Sequence, residues 1–285
     1  MNALSPLVRI RAERDQMSAI ERRIADFLLD NAHLLRDYSS QQLANALKIS
    51  QSSVVKFSQK LGFKGYPDLK FSIGESVAHH RAIENAGQAE GLLAHPYAAL
   101  ADSLWRRKMD AEKETRLINA PAQLEAIAAM IAAAPKLVVS GLGEDGIQAQ
   151  SFALRLSLLG LHCVHHGDPV LLSTALAGAC HNDVMLVFSE HGKQPALAQV
   201  SRDLRARGGK VVSITRHTAN VLRAHADQSL LVSAHDERAE IEPLLYRAAL
   251  QHLLDVLFLA LCERHGERLV HLQANVERLR QLLDP

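Results

Sequence analysis

Cysteine is scarce and scattered in this chain. The three residues, Cys163, Cys180 and Cys262, lie far apart and form no C-x-x-C pair. A disulfide framework is therefore not expected, and the pattern suits a reducing cytosol. No basic, apolar and small-residue secretory pattern opens the sequence, and no apolar run is expected to cross a bilayer. Net charge is nearly absent too: 32 Lys and Arg stand against 31 Asp and Glu, a formal +1. Any affinity for nucleic acid has to come from a local patch. There is no internal repeat and no long low-complexity tract. What remains is an ordinary globular composition, 48% hydrophobic and 22% charged over 285 residues. That length suits one large domain or two modest ones. A cytoplasmic protein with no membrane partner is expected.

The stretch that departs from this neutral background runs from Tyr38 to Lys70, YSSQQLANALKISQSSVVKFSQKLGFKGYPDLK. Its periodicity predicts a short helix, a tight turn and a second helix. Ser39 or Ser40 can cap the first helix, because a short hydroxyl accepts from an orphan first-turn amide. Leu43, Ala46 and Leu47 are expected on one face. Lys48 and Ile49 make the turn, and Ser50 caps the second helix. Val54, Phe57 and Leu61 are its expected buried side. Gly62 stands where a left-handed C-cap residue belongs. Gln51, Ser52, Ser53 and Lys56 are then left exposed at and near the N-terminus of the second helix. A helix-turn-helix reader needs that arrangement, since its second helix enters the major groove N-terminus first. Gln can pair with adenine, Ser with several bases, and Lys with guanine or phosphate. From Lys48 to Lys70 there are five Lys, Lys60 and Lys64 among them, and one acid, Asp68. An ordinary helical hairpin shares the spacing; the local charge and the small polar residues favour DNA.

The run SQSSVVKFSQKLGFKGYPDLK resembles the N-terminal domain of the RpiR-type bacterial regulators, particularly the branch that includes the N-acetylmuramic acid 6-phosphate repressor. The resemblance rests on a Ser-rich helix start, Val-Val-Lys-Phe, then Leu-Gly-Phe and Gly-Tyr before a further helix. It implies a DNA-binding domain followed by a sugar isomerase-like (SIS) domain that senses a phosphorylated sugar. On that basis residues 1–78 are expected to form the helix-turn-helix domain. Residues 79–119 follow as linker and connecting helix, and 120–285 as the sensing domain.

Elsewhere the N-terminal region reads as helix. Leu4, Leu7, Ile10 and Met17 supply an irregular apolar face, and Ser18 with Glu21 forms a capping box for the next helix. Ile24, Ala25, Phe27, Leu28, Leu34 and Leu35 are its expected core residues. Asp68 to Val77 reads as helix entered through Pro67. Residues 79–95 read as a linker, in which His79 and His80 are expected to be solvated. Helix resumes from Pro96 to Ile118, with the sole Trp, Trp105, expected to pack against its own domain.

From about Ala120 strands alternate with helices. Leu137–Ser140, Leu161–His166, Val184–Ser189, Val211–Thr215 and Ser229–Val232 are the expected strands. The helices between and after them are expected at Ala122–Ala134, Asp145–Leu159, Pro169–Ala179, Pro195–Arg207, Glu242–His265 and Glu267–Leu283. This predicts an α/β fold: an N-terminal all-helical helix-turn-helix domain plus a C-terminal doubly wound five-stranded parallel sheet.

Open parallel sheets bind ligands outside the carboxyl ends of their strands. Two such ends stand out. The first is GLGEDG, Gly141 to Gly146, with Gly141 and Gly143 the candidate contacts. It matches G-x-G-x-x-G, and Asp168 lies at a distance suited to a ribose contact, so a dinucleotide-binding oxidoreductase is one alternative. Glu144 and Asp145 would repel a pyrophosphate there, and SIS domains also carry a Gly-rich loop after this strand.

The second end is Ser189-Glu190-His191-Gly192-Lys193-Gln194. The matching loop of sugar-phosphate-binding SIS domains is Ser/Thr-rich, typically Ser-x-Ser-Gly-x-Ser/Thr. This chain keeps Ser189 and Gly192, but has His191 and Gln194 where hydroxyls are usual, and adds Lys193. The ligand-binding candidates are therefore Ser189, His191, Gly192, Lys193 and Gln194, and an acidic sugar derivative is as plausible as a neutral sugar phosphate. His165, His166 and Asp168 are further candidates for the pocket lining.

A SIS-fold aldose-ketose isomerase is a second alternative, with Glu240 or Glu242 where a catalytic acid or base can stand. It leaves the basic N-terminal domain unexplained. The favoured reading is a DNA-binding regulator, by resemblance a repressor of sugar or sugar-acid catabolism, with no catalytic residue, cofactor or metal expected. Its expected partners are a palindromic double-stranded operator, a sugar phosphate or phosphorylated sugar acid effector, and further copies of itself as a homodimer or homotetramer.

Overall fold

Three serines set the opening helices. Ser18 caps α2 (Ala19–Asp30), Ser39 caps α3 (Ser40–Ala46) and Ser50 caps α4 (Gln51–Lys60). In the first two the residue at N3, Glu21 or Gln42, reaches back to the cap amide and completes a capping box. α1 (Pro6–Glu13) precedes them, and a further helix, α5, runs through residues 66–75. The computed structural model describes residues 5–14, 17–32, 35, 38–75, 96–218, 220–236, 238–264 and 266–283. The expected apolar positions Leu4 and Leu34, the linker with His79 and His80, and the helix end at Val77 lie outside these residues. The chain forms two compact units, Met1–Asp110 with His217–Ala219, and Ala111–Arg216 with Asn220–Pro285.

The first unit has its own core. Ile10, Ile24, Leu28, Leu43, Val54, Phe57, Leu61, Leu69 and Ile73 are buried together. α3 and α4 both end in the same way. The Ile49 amide reaches back to the Ala44 carbonyl at 3.0 Å, and the Phe63 amide to the Ser58 carbonyl at 3.0 Å. Each closure needs a left-handed residue, supplied by Lys48 (φ 50°) and Gly62 (φ 82°). One inward assignment changes. Ala44 is buried beside Leu43, whereas Ala46 is exposed. Leu43, Ala44 and Leu47 form the i, i+1, i+4 stripe toward α4, and Ala46 falls about 100° away from its centre.

α6 (Pro96–Ile118) contains the point where the chain passes from the first unit to the second. Trp105 on this helix is 59% exposed, so it does not pack as expected. Its neighbours in the same helical rows, Ala101 and Met109, are exposed as well and offer it no pocket.

The second unit is built on five parallel strands. They are β1 (Leu137–Gly141), β2 (Cys163–His165), β3 (Val184–Phe188), β4 (Lys210–Arg216) and β5 (Gln228–Val232), in the order β2-β1-β3-β4-β5. β1 and β3 are buried along their whole length, as continuous apolar strands covered on both faces should be. The helices are α7 (Pro121–Ala133), α8 (Glu144–Leu158), α9 (Pro169–Ala175), α10 (Pro195–Ala206), α11 (Val221–Ala224), α12 (Glu242–Arg264) and α13 (Gly266–Leu283).

Two elements are shorter than their sequences suggest. β2 pairs with β1 only at Cys163, Val164 and His165. It is an edge strand. Leu161 closes the end of α8, where Gly160 has φ 77°, and the His162 carbonyl accepts from the Leu137 amide at 2.8 Å just before the paired residues. α9 stops at Ala175: Leu176 is its C-cap, with its amide donating to the Leu172 carbonyl, and Ala177 and Gly178 follow in a turn. α12 is long and apolar enough to cross a membrane by length and composition, contrary to the expectation that no such run exists. It is a core helix here: Leu245, Leu250, Leu253, Leu254, Leu257 and Leu261 are buried within the second unit.

Candidate functional site

The strand order reverses between β1 and β3, so their carboxyl ends flank the crevice where doubly wound sheets bind ligands. Gly141 and Phe188 pair across this point. The loops after the two strands are the GLGEDG and SEHGKQ segments. Topology therefore brings together the two stretches that sequence reading singled out.

The glycines of the first loop have packing reasons. A Cβ on Gly141 would lie 2.7 Å from the Asp145 carbonyl oxygen, and one on Gly146 would lie 2.7 Å from the Gly141 carbonyl oxygen. Gly143 has φ 61° at the helix start. The loop thus tightens strand onto helix, which accounts for the motif without a dinucleotide. Asp168, the candidate ribose contact, spends its carboxylate on capping α9: Oδ1 accepts from the Val170 and Leu171 amides, both at 2.9 Å.

Asp145 links the two loops. Its Oδ2 accepts from the Glu190 amide at 2.8 Å, and its Oδ1 accepts from the Tyr246 hydroxyl at 3.1 Å. It is only 8% exposed. Burial pushes its carboxyl above the ordinary aspartate range, against the two hydrogen bonds that hold it down. Burial also raises Glu190, with the nearby Asp145 and Glu242 carboxylates adding to the effect and His191 and Arg216 opposing it. Arg216, at the carboxyl end of β4, is the buried counter-charge. Its Nη1 and Nη2 meet the Glu242 carboxylate at 3.1 and 2.9 Å, and Glu190 Oε1 lies 3.5 Å from Nη1. Burial raises Glu242, but the Arg216 contacts outweigh it and hold the group below its usual value. Glu242 is therefore an ion-pair member rather than a poised base, and Glu240 lies exposed at the surface.

The SEHGKQ loop satisfies several of its own donors. The Ser189 hydroxyl donates to Gln194 Oε1 and accepts from the Gly192 amide at 3.0 Å. Gly192 has φ 59°, and a Cβ there would collide with the Asn220 side chain. His191 and Lys193 are exposed. Ser189, Gly192 and Gln194 thus form the frame of the loop, with His191 and Lys193 on its rim. His165 turns back to the sheet, with Nδ1 3.0 Å from the Val139 carbonyl oxygen. Asp255 pairs with Arg155 at 2.6 Å, a brace between α12 and α8.

The other candidate surface is the start of α4. Gln51, Ser52 and Lys56 are exposed, and Ser53 is half-buried. The Ser50 oxygen accepts from the Ser53 amide at 3.2 Å and shares hydrogen bonds with the Ser52 and Ser53 hydroxyls at 2.9 and 2.8 Å. Gln51 Nε2 donates to Ser40 Oγ at 2.8 Å, which ties the two helices of the hairpin. Lys56, one turn on, has no ion-pair partner among the described residues. Lys60 lies at the other end of the helix, where Nζ meets Glu21 Oε1 at 2.9 Å. Lys64 is exposed in the loop that follows, and its amide donates to Asp68 at 2.9 Å.

Arg216 and Tyr246 were not among the residues picked from sequence. An arginine ending an otherwise apolar strand, KVVSITR, was the available signal, since a charge at a strand's carboxyl end faces the ligand crevice.

Comparison with known proteins covers nearly the whole chain. Residues 4–80 match the helix-turn-helix domain of the rpiR family, and residues 130–260 match the SIS domain. The uncharacterized HTH-type transcriptional regulator YfhH of Escherichia coli K12 is 30% identical over 283 residues, 97% of this chain and 100% of that protein. Among solved structures, the Vibrio vulnificus NanR protein complexed with ManNAc-6P aligns with a TM-score of 0.61 at 20% identity, over 98% of this chain and 100% of that one. The sugar isomerase domain of an RpiR transcription factor from Sphaerobacter thermophilus aligns with a TM-score of 0.57 at 19% identity, over 63% of this chain and 98% of that one.

Proposed function

This chain belongs to the RpiR family of transcriptional regulators, with a helix-turn-helix domain followed by a SIS domain, and from that premise we propose that it is a cytoplasmic repressor of sugar or sugar-acid catabolism. Residues 1–78 read a palindromic operator, 79–119 connect, and 120–285 sense a phosphorylated sugar or an acidic sugar derivative. The observation that carries this reading is the meeting of the Gly141–Gly146 and Ser189–Gln194 loops at the switch point of the sheet. The fold shared with NanR, a protein solved with ManNAc-6P, supports a sugar phosphate as the effector class. Lys193 and His191 on the rim meet the effector's anionic group, while Ser189, Gly192 and Gln194 shape the loop. Gln51, Ser52, Ser53 and Lys56 read bases and near phosphates, with Lys60 and Lys64 on the phosphate backbone.

A palindromic operator needs paired reading heads. α13 supports a homodimer as the basic assembly. None of its described residues is buried, yet Leu269, Leu272, Val276, Leu279 and Leu283 recur at the three-four spacing of a helix-helix seam. The occupant that fits a seam of this kind is the same helix of a second copy.

The test is binding of the full-length protein to a duplex that it enriches from a random pool, with salt varied and sugar phosphates added. A regulator shows a steep loss of affinity with salt and a change of affinity with one sugar phosphate. A SIS-fold isomerase would instead interconvert an aldose and a ketose phosphate and show no salt-dependent duplex binding. That result would overturn the proposal.

A further inference from the structure

The connecting helix is fastened to the open edge of the sheet by side chains that imitate a strand. β5 is the last strand in the order, so one row of its backbone donors and acceptors has no partner strand. The Leu231 amide donates to Asn119 Oδ1 at 2.9 Å, and Asn119 Nδ2 donates to the Leu231 carbonyl at 2.7 Å. Two residues on, the Ser233 amide donates to Thr115 Oγ1 at 2.9 Å. Two residues back, the Ser229 carbonyl accepts from Gln123 Nε2. Four helical residues rise about 6 Å and two strand residues about 6.6 Å. Thr115 and Asn119 therefore stay in step with Ser233 and Leu231. Both side chains are fully buried.

The same strand end is held by the ligand crevice. Arg216 Nη2 donates to the Ala234 carbonyl, next to Ser233. The Ser233 hydroxyl in turn donates to Glu114 Oε2 on α6 at 2.7 Å. Arg216 also lies between Glu242 and Glu190, its own amide donates to the Glu190 carbonyl at 2.9 Å, and its buried Nε has no hydrogen-bond partner. Residues 233 and 234 thus join the 189–194 loop to α6 in two steps, and α6 is the helix from which the chain runs back toward the N-terminal domain.

We propose that this is the relay by which the effector controls DNA binding. An anionic effector at the 189–194 loop competes with the Glu190 carboxylate and redistributes Arg216 between Glu190 and the Glu242–Ala234 side. The end of β5 follows Arg216, and Thr115 and Glu114 pass the shift to α6. The relay rests on the regulator reading above, and coupling between two binding sites is reciprocal. Operator DNA alone can therefore report on it, with no effector in hand.

The test is hydrogen exchange of the full-length protein with and without the duplex it enriches from a random pool. In the wild type, DNA changes exchange of the 189–194 and 231–236 segments by at least about twofold. In Thr115→Val the protein still binds the duplex, but those two segments no longer respond. Ser233→Ala, which removes only the contact to Glu114, gives a smaller loss of response and covers the case in which Thr115→Val fails to fold. DNA binding with no response in the wild-type segments overturns the relay and leaves the regulator reading intact. A full response in both variants overturns it as well. A protein that binds no duplex removes the regulator reading and the relay together.

Discussion

The start of α4 and the 189–194 loop are both rich in small polar residues, but they keep their hydrogen bonds differently. On α4, Gln51 and Ser52 are exposed, their internal partners are the hydroxyls of half-buried Ser40 and exposed Ser50, and Lys56 is unpaired among the described residues. Water and DNA can replace such contacts at little cost. In the loop, Ser189 is buried, its hydroxyl serves Gln194 and Gly192, and the Glu190 amide is held by buried Asp145. A ligand there has to displace contacts inside the protein. A site built for constant contact can stay open. In the proposed regulator a switch would need two arrangements of similar free energy, and the self-satisfied loop would be the unliganded one.

Breaking the second region should have the largest effect. Arg216→Ala leaves Glu190 and Glu242 without their buried counter-charge. We expect it to cost about 3 kcal/mol of unfolding free energy, read by urea denaturation, and to remove the effector response. Lys56→Ala should leave folding intact, weaken operator binding by about tenfold and lower the slope of log affinity against log salt by about one. Unchanged affinity would exclude α4 as the reading helix. Lys193→Ala should abolish the effector response while operator affinity stays within about twofold of the wild type, since surface substitutions change stability little.

The pH dependence sharpens the contrast. The folded-state pKa of Asp145 is raised, so the folded protein holds this proton more tightly than the unfolded chain does. The associated stability is fully present below the unfolded value of about 3.9 and is lost as pH rises through the folded value. Asp145→Asn should therefore show a smaller fall in urea midpoint from about pH 4 upward than the wild type shows. An identical pH profile would contradict the buried-carboxylate account. The smallest effect is expected from Lys60→Ala. Its ion pair with Glu21 is largely exposed and worth about 0.5 kcal/mol, and operator affinity should fall by no more than about threefold.

Much of this was legible in the sequence because local rules and the fold agree. Capping serines, Gly62 and the alternation of apolar strands with helices each fix a local geometry that tertiary packing then uses. The strand-end loops were found from G-x-G-x-x-G and the Ser-x-x-Gly remnant, both tied to positions after apolar strands. Arg216, Tyr246 and the Thr115–Asn119 ladder were not found. They act on Asp145, Glu242, Leu231 and Ser233, which stand 26 to 118 residues away in the chain. No periodicity encodes such pairs; only the folded sheet brings them together. Trp105 and Ala46 were misplaced because apolar character was read as burial, although exposed single apolar side chains are common.

The most direct test of the account is thermal melting of the purified full-length protein against a panel of sugar phosphates and phosphorylated sugar acids, with inorganic phosphate as the control. A compound bound by the folded state raises the melting temperature by mass action. The account predicts that one chemical class of sugar phosphate or sugar-acid phosphate raises it well beyond phosphate, and that Lys193→Ala removes the shift. A panel that gives no stabilisation beyond phosphate would contradict effector sensing at the 189–194 loop.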